Sequence, residues 1–120
     1  MTESDWQEKL QKEDRLLPIA NELKVTKTKR LNFKQFAPHQ IEHLQKVKHT
    51  RWTYKIQDVG KAKKPFDSVT FDHDPAWCVC IWDETGGVYA IDIDVFWKEI
   101  KTSKEKSLKE ERAMEIGIRL

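Results

Sequence analysis

Long apolar runs are absent from this chain. No stretch approaches the roughly 20 residues that a helix needs to cross a bilayer. The start, Met1-Thr2-Glu3-Ser4-Asp5-Trp6, has neither the basic flank nor the apolar run of a secretory signal. The expectation is a soluble protein of the cytoplasm, with no membrane partner. Cysteine is scarce: Cys78 and Cys80 are the only two. On a strand they share a face but stand too far apart for a disulfide. A zinc site would need two more ligands, and His73 is the only neighbour. The pair reads as buried thiols kept reduced. Net charge is nearly absent at +2, so only the distribution of charge can inform on partners. Internal repeats are missing, and 120 residues suit one small domain (1–120) with little room for a second.

What is present is bulk and local charge. Hydrophobic residues make up 38% of the chain and include five Trp and five Phe, enough to bury and to argue against disorder despite 35% charged residues. From Lys24 to Lys34 there are five basic residues (Lys24, Lys27, Lys29, Arg30 and Lys34) and no acid, and Lys61, Lys63 and Lys64 crowd before Pro65. Such blocks are nucleic-acid footprints or solvated loops.

Patterning predicts an α/β (α+β) chain. Ser4 and Gln7 have capping-box spacing ahead of a sparse stripe of Trp6, Leu10 and Leu17, and Pro18 would end that helix. From Ile19 to Thr26 the pattern is extended, with Leu23 and Val25 on one face and Glu22, Lys24 and Thr26 on the other. Leu31, Phe33 and Phe36 anchor the basic loop, and Pro38 opens a helix with a stripe of Ile41, Leu44 and Val47. Trp52, Tyr54 and Ile56 alternate as a half-buried strand, and Pro65 to Phe71 is extended. Ala76 to Trp82, apolar on both faces, reads as a central strand. A loop over 83–87 leads into the strand Val88 to Ile93, then a short helix from Asp94 to Ile100 with Asp94 as its cap. The charged segment 101–120 reads as helical, with Leu108, Met114 and Ile116 as weak anchors. Most tryptophans read as core, with Trp6 the one placed at an interface. The sum is a mixed sheet of about five strands flanked by helices.

Chemistry concentrates in Glu22-Leu23-Lys24, Gln40 and Lys64-Pro65-Phe66-Asp67. Carboxylates such as Glu22 and Asp67 can hold Mg²⁺, which prefers octahedral oxygen ligation, and the Leu23 carbonyl offers a further ligand. Lys24 can neutralise charge developing on phosphorus. Gln40 can orient water or phosphate, or simply cap its helix. His39 and His43 read as surface or packing residues, and Arg51 and Lys55 share a strand face that is either a phosphate contact or solvated.

Glu22-Leu-Lys-Val-Thr-Lys27, the aromatic basic loop and Phe36-Ala-Pro-His-Gln-Ile-Glu-His-Leu44 together resemble the core of RecU-type Holliday junction resolvases of the PD-(D/E)xK nuclease superfamily. Trp52 to Asp58 with Lys64-Pro-Phe-Asp67 is similar to the first strand pair of that superfamily, and Trp77 to Trp82 with Val88 to Ile93 to its closing hairpin. The resemblance spans about 19–97 and departs in order: the Pro-Phe-Asp pair follows the Glu-x-Lys strand, so the core looks circularly permuted. It implies a restriction-endonuclease-like core and a Mg²⁺-dependent endonuclease (Mn²⁺ able to substitute, no organic cofactor) acting on branched or recombination DNA in bacterial or phage-infected cytoplasm. It also implies a homodimer, because two symmetric strands must be cut. The implied roles are Glu22 and Asp67 with the Leu23 carbonyl as metal ligands, Lys24 as catalytic lysine and Gln40 as accessory residue. Asp58 or Asp72 could take the place of Asp67, and Asp67 could act in cis or in the partner's site. Phosphate contacts fall to Lys27, Lys29, Arg30, Lys34, Lys61, Lys63 and Lys64. Two alternatives keep the fold but change the role: a non-catalytic nucleic-acid-binding or assembly module, and a nicking or restriction-type endonuclease.

Overall fold

A computed structural model describes residues 1–17, 20–55 and 68–120. Helix α1 (Glu3–Lys12) begins at a capping box between Thr2 and Asp5, not at Ser4. The Thr2 hydroxyl accepts the Asp5 N–H at 3.2 Å, and the Asp5 carboxylate accepts the Thr2 N–H at 2.9 Å. Asp14 takes a left-handed conformation at φ 51°, a usual helix stop. The helix therefore ends well short of Pro18.

Strand β1 (Ala20–Thr26) is followed by β2 (Arg30–Asn32), a 3₁₀ turn (Phe33–Gln35) and α2 (Pro38–His49). A ribbon of β3 (Arg51–Lys55) and β4 (Ser68–Asp72) precedes β5 (Ala76–Trp82) and β6 (Gly87–Asp92). Helix α3 (Ile93–Thr102), β7 (Ser107–Lys109), α4 (Glu110–Ile116) and β8 (Ile118–Arg119) complete the chain. The cap of α3 is Asp92, whose carboxylate accepts the Asp94 N–H at 2.9 Å; Asp94 itself lies in the first turn.

The expected sheet of about five strands divides. Four strands form one mixed sheet in the order β1-β5-β6-β8, while β2–β7 and β3–β4 are separate two-stranded ribbons. β1 runs parallel to β5, with Glu22 opposite Cys78 and Lys24 opposite Cys80, and β6 is antiparallel to β5. The parallel pair needs a crossover, and α2 lies within it. The 101–120 segment is only partly helical. Leu108 is buried because β7 pairs with β2, and Ala113, not the exposed Met114, carries the inner face of α4.

Alternation along β5 builds two cores. Ala76, Cys78, Cys80 and Trp82 face α2 and α3 with Phe33, Phe36, Leu44 and Phe96, while Val79 and Ile81 face α1 with Trp6, Leu10 and Leu23. Both faces of the central strand are covered, as its apolar pattern predicts. Fully buried side chains such as Leu10, Phe96 and Ile81 each stabilise by about 1.5–3 kcal/mol. Trp6 belongs to this core at 4% exposure, which overturns its assignment to an interface. Its indole N–H finds its partner within the chain, on Asp83 Oδ1 at 2.7 Å. Cys78 and Cys80 are buried and free. Burial pushes both thiols well above their ordinary pKa, and for Cys78 the charges of Cys80, Glu22 and Asp92 add to it.

Candidate functional site

Glu22 and Lys24 stand on the α2 side of β1, at the edge of the four-stranded sheet. Two residues apart on a strand, they project to one face. Pro38 opens α2 beside them, and its third residue, Gln40, does two things at once. Gln40 Oε1 accepts the Ala37 N–H at 2.9 Å, closing the helix start, and Gln40 Nε2 donates to Glu22 Oε1 at 2.8 Å. Capping and accessory roles, alternatives in the sequence, coexist in one amide. Lys24 Nζ lies 3.8 Å from the same Glu22 oxygen and 3.8 Å from Glu3 Oε1 on α1, with its side chain 15% exposed. Those distances make ion contacts without hydrogen bonds.

The backbone adds a donor. The Thr26 carbonyl accepts from Asp83 N–H on the β5 side, whereas the Val25 carbonyl accepts from Gln35 Nε2 at 3.0 Å on the other. Strand alternation then turns the Leu23 carbonyl to the same edge as Val25, the one that carries no further strand among the described residues. Among the described residues, both contacts of the Glu22 carboxylate fall on Oε1. A carboxylate oxygen and a carbonyl are hard donors suited to Mg²⁺. Among the described residues, however, no group of three or more His, Cys, Asp or Glu could hold a metal ion. Asp67, the second carboxylate of the implied set, lies outside the described residues, as do Asp58, Lys61, Lys63 and Lys64.

The strand that the fold brings beside β1 is β5, not the one that follows Pro65-Phe66-Asp67: β4 pairs with β3. Asp72, the substitute for Asp67, ends β4 in that ribbon. Its carboxylate is exposed and holds His73 Nδ1 at 2.8 Å.

The basic loop is not the bare cationic block its sequence suggests. Lys27 pairs with Asp83 at 2.8 Å and also donates to the Met1 carbonyl, while Arg30 pairs with Glu105. Lys29 and Lys34 have no ion pair among the described residues. Lys29 lines a polar cavity of about 500 Å³ with Thr85 and Glu110, and Lys34 stands at the rim of an apolar groove of about 580 Å³ between α2 and α3. Asp83, with Lys27, the Trp6 N–H and the terminal ammonium around it, is held down to a pKa of about 2.

Two polar clusters escaped the sequence reading. Lys48, at the far end of α2, binds both oxygens of Asp92 at 2.7 and 2.6 Å and Asp94 at 2.6 Å, and His49 meets Asp94 at 2.6 Å. Burial works against the Lys48 charge, but the two carboxylates outweigh it and raise its pKa. Asp94 is likewise opposed by burial and still lowered, by Lys48 and His49. The available signal was Lys48 one turn beyond Leu44, together with the Asp92-x-Asp94 spacing. The second cluster centres on Glu110, which accepts from the Tyr89 hydroxyl at 2.7 Å and from Thr85 at 2.8 Å. Gly87 makes room for it, since a Cβ there would lie 2.0 Å from Glu110 Oε2. Burial first, then Glu110, pushes Tyr89 up to about 12.

Family models, curated proteins and solved structures yield no match to the chain.

Proposed function

We propose that this chain is a Mg²⁺-dependent DNA endonuclease that hydrolyses phosphodiester bonds in branched or recombination DNA, acting as a homodimer. The observation that carries the reading is the meeting of Glu22, Lys24 and Gln40 on the edge strand β1, with Gln40 Nε2 2.8 Å and Lys24 Nζ 3.8 Å from Glu22 Oε1. Two side chains with complementary roles in phosphodiester hydrolysis, from two elements, converge on the Glu22 carboxylate. The PD-(D/E)xK likeness of the same residues supplies the substrate class.

In this reading Glu22, the Leu23 carbonyl and Asp67 would hold the ion. Bound there, Mg²⁺ would activate water and neutralise phosphoryl charge. The chain's own groups do the rest. Lys24 places a fixed ammonium where negative charge develops on phosphorus, and its partial burial strengthens that interaction relative to water. Gln40 holds Glu22 in one orientation, so less reorganisation is needed when substrate arrives. Lys29 and Lys34, with Lys61, Lys63 and Lys64, contact backbone phosphates, which makes binding fall steeply with salt.

The test is cleavage of a four-way junction and a linear duplex in Mg²⁺. Lys24→Ala is expected to lower the rate by about 10²–10³-fold with an unchanged melting temperature. Salt-sensitive binding without Mg²⁺-dependent cleavage of any DNA would sink the enzyme and leave the non-catalytic binding module. Preference for nicked or linear DNA would keep the chemistry and change the substrate.

A further inference from the structure

We propose that the polar cavity of about 500 Å³ beside Trp82 binds a small phosphorylated sugar, its phosphate on Lys29 and Lys109 and its hydroxyls on Glu110. The site goes beyond the nuclease reading, because Glu22, Lys24 and Gln40 do not line this cavity. Three segments far apart in sequence build it: the turn between β1 and β2, the turn between β5 and β6, and the junction of β7 with α4. The volume suits a small ligand, since such sites run to about 300–1,000 Å³. One wall is cationic. Arg30 lies directly opposite Lys109 in the β2–β7 ribbon, and Lys29 is its neighbour in the chain. Like charges opposite each other on paired strands cost stability, and an anion shared by them reverses the sign. Arg30 is balanced by Glu105, but Lys29 and Lys109 have no ion pair among the described residues. Glu84 and Glu111 also line the cavity, both exposed, and neither pairs with those lysines.

A second wall decides what else the ligand carries. Glu110 Oε2 accepts from the Tyr89 hydroxyl at 2.7 Å, and Glu110 Oε1 from the Thr85 hydroxyl at 2.8 Å. These contacts hold the carboxylate in one place, in space that the missing side chain of Gly87 leaves for it. An ionised carboxylate has about four acceptor sites, so Glu110 can take further donors but repels a bare phosphate. A phosphorylated sugar supplies both halves: an anion for the lysines and hydroxyl donors for the carboxylate, as acidic residues bind ribose hydroxyls in nucleotide sites. A DNA backbone supplies the anion without the donors. The backbone under the cationic wall is fixed as well. The Trp82 N–H donates to the Lys29 carbonyl at 3.0 Å, and the Thr28 hydroxyl to the Arg30 carbonyl at 2.8 Å. Less ordering is then required on binding.

Ribose 5-phosphate, inorganic phosphate and ribose are titrated separately into the full chain, and binding is read from amide NMR shifts. Ribose 5-phosphate should move the amides of 28–30, 85 and 109–111 and bind about tenfold tighter than inorganic phosphate. Ribose alone should leave them in place. Lys109→Gln is expected to weaken both phosphates by about tenfold, while Lys104→Gln, an exposed lysine outside the lining, matches wild type. Glu110→Gln should weaken ribose 5-phosphate by about tenfold without weakening inorganic phosphate. Absence of saturable binding, equal affinity for the two phosphates, or no loss in folded Lys109→Gln would overturn the site. So would shifts at 85 and 110 that junction DNA produces and the sugar phosphate does not. Each of these outcomes leaves DNA cleavage untouched, so the two readings fail separately.

Discussion

The two ends of α2 carry polar clusters of opposite character. At the C-terminal end, Lys48 reaches three carboxylate oxygens at 2.6–2.7 Å, and Asp92 and Asp94 belong to the start of α3. Donor and acceptors are matched there, and the cluster ties two helices and β6 together. At the N-terminal end, Lys24 sits 3.8 Å from each of two carboxylates, and the described contacts of Glu22 all fall on one oxygen. The first cluster is satisfied and the second is held with capacity to spare. A sequence reading weights residue types, so it found the second and missed the first. The distances tell them apart: the Lys48 contacts are closed to 2.6–2.7 Å, whereas those of Lys24 stay at 3.8 Å.

That contrast can be broken in order of expected effect. Glu22→Gln keeps the shape of the open cluster and removes its charge. Cleavage in Mg²⁺ should fall by about 10³-fold, with little change in melting temperature. Lys48→Met should do the reverse. It leaves two carboxylates facing each other in a partly exposed setting, costing about 1–2 kcal/mol after allowance for solvent screening. Chemical denaturation would read that loss, and the folded variant should cleave as wild type. A loss of cleavage in folded Lys48→Met would dissolve the distinction. Gln40→Ala touches both roles of that amide, costing about 0.5–1 kcal/mol as a lost cap and lowering cleavage by about tenfold. Gln40→Glu tests the same position by bringing a like charge to Glu22.

The smallest effect concerns a third cluster, at the opposite end of β1 from Ala20. The Asp83 pKa is lowered to about 2 from 3.8, first by its hydrogen bond from Lys27 and then by that from Trp6. A depressed carboxylate contributes stability above its unfolded pKa and loses it as pH falls through the folded one. Melting temperature should therefore drop between about pH 4 and pH 2, and less steeply in Asp83→Asn. Equal slopes would show that Lys27 and Trp6 hold Asp83 only weakly.

Elements whose own residues decide their form were legible. Pro38 with the Ile41, Leu44 and Val47 stripe predicts α2, whose buried residues are those three. The two-sided apolar pattern of Ala76 to Trp82 predicts the central strand, and the parity of Glu22 and Lys24 predicts their common side. What depends on distant partners was not legible. β7 is a strand because Leu108 lies opposite Leu31, which no local pattern announces. The acids that neutralise Lys27 and Arg30, Asp83 and Glu105, come from far along the chain, so a run with no acid in sequence has acid partners in space. Among the described residues β1 pairs with β5 and β4 with β3, partners that no local pattern of β1 announces. No helix among the described residues is long and apolar enough to cross a membrane.

The parallel register of β1 on β5 has a consequence for how the chain is made. Glu22, Lys24 and Gln40 are all translated before β5, yet β1 has its only sheet partner in β5 among the described residues. The β5–β6 pair closes across a short turn, whereas β1 must wait for a contact spanning α2 and the β3–β4 ribbon, and such long-range pairings form slowly. A nascent chain thus carries every described residue of the candidate centre long before it can order them. If the centre cuts DNA, the growing polypeptide is harmless until its later strand has left the ribosome. Pulsed hydrogen exchange during refolding should show β1 amides protected after those of β5 and β6.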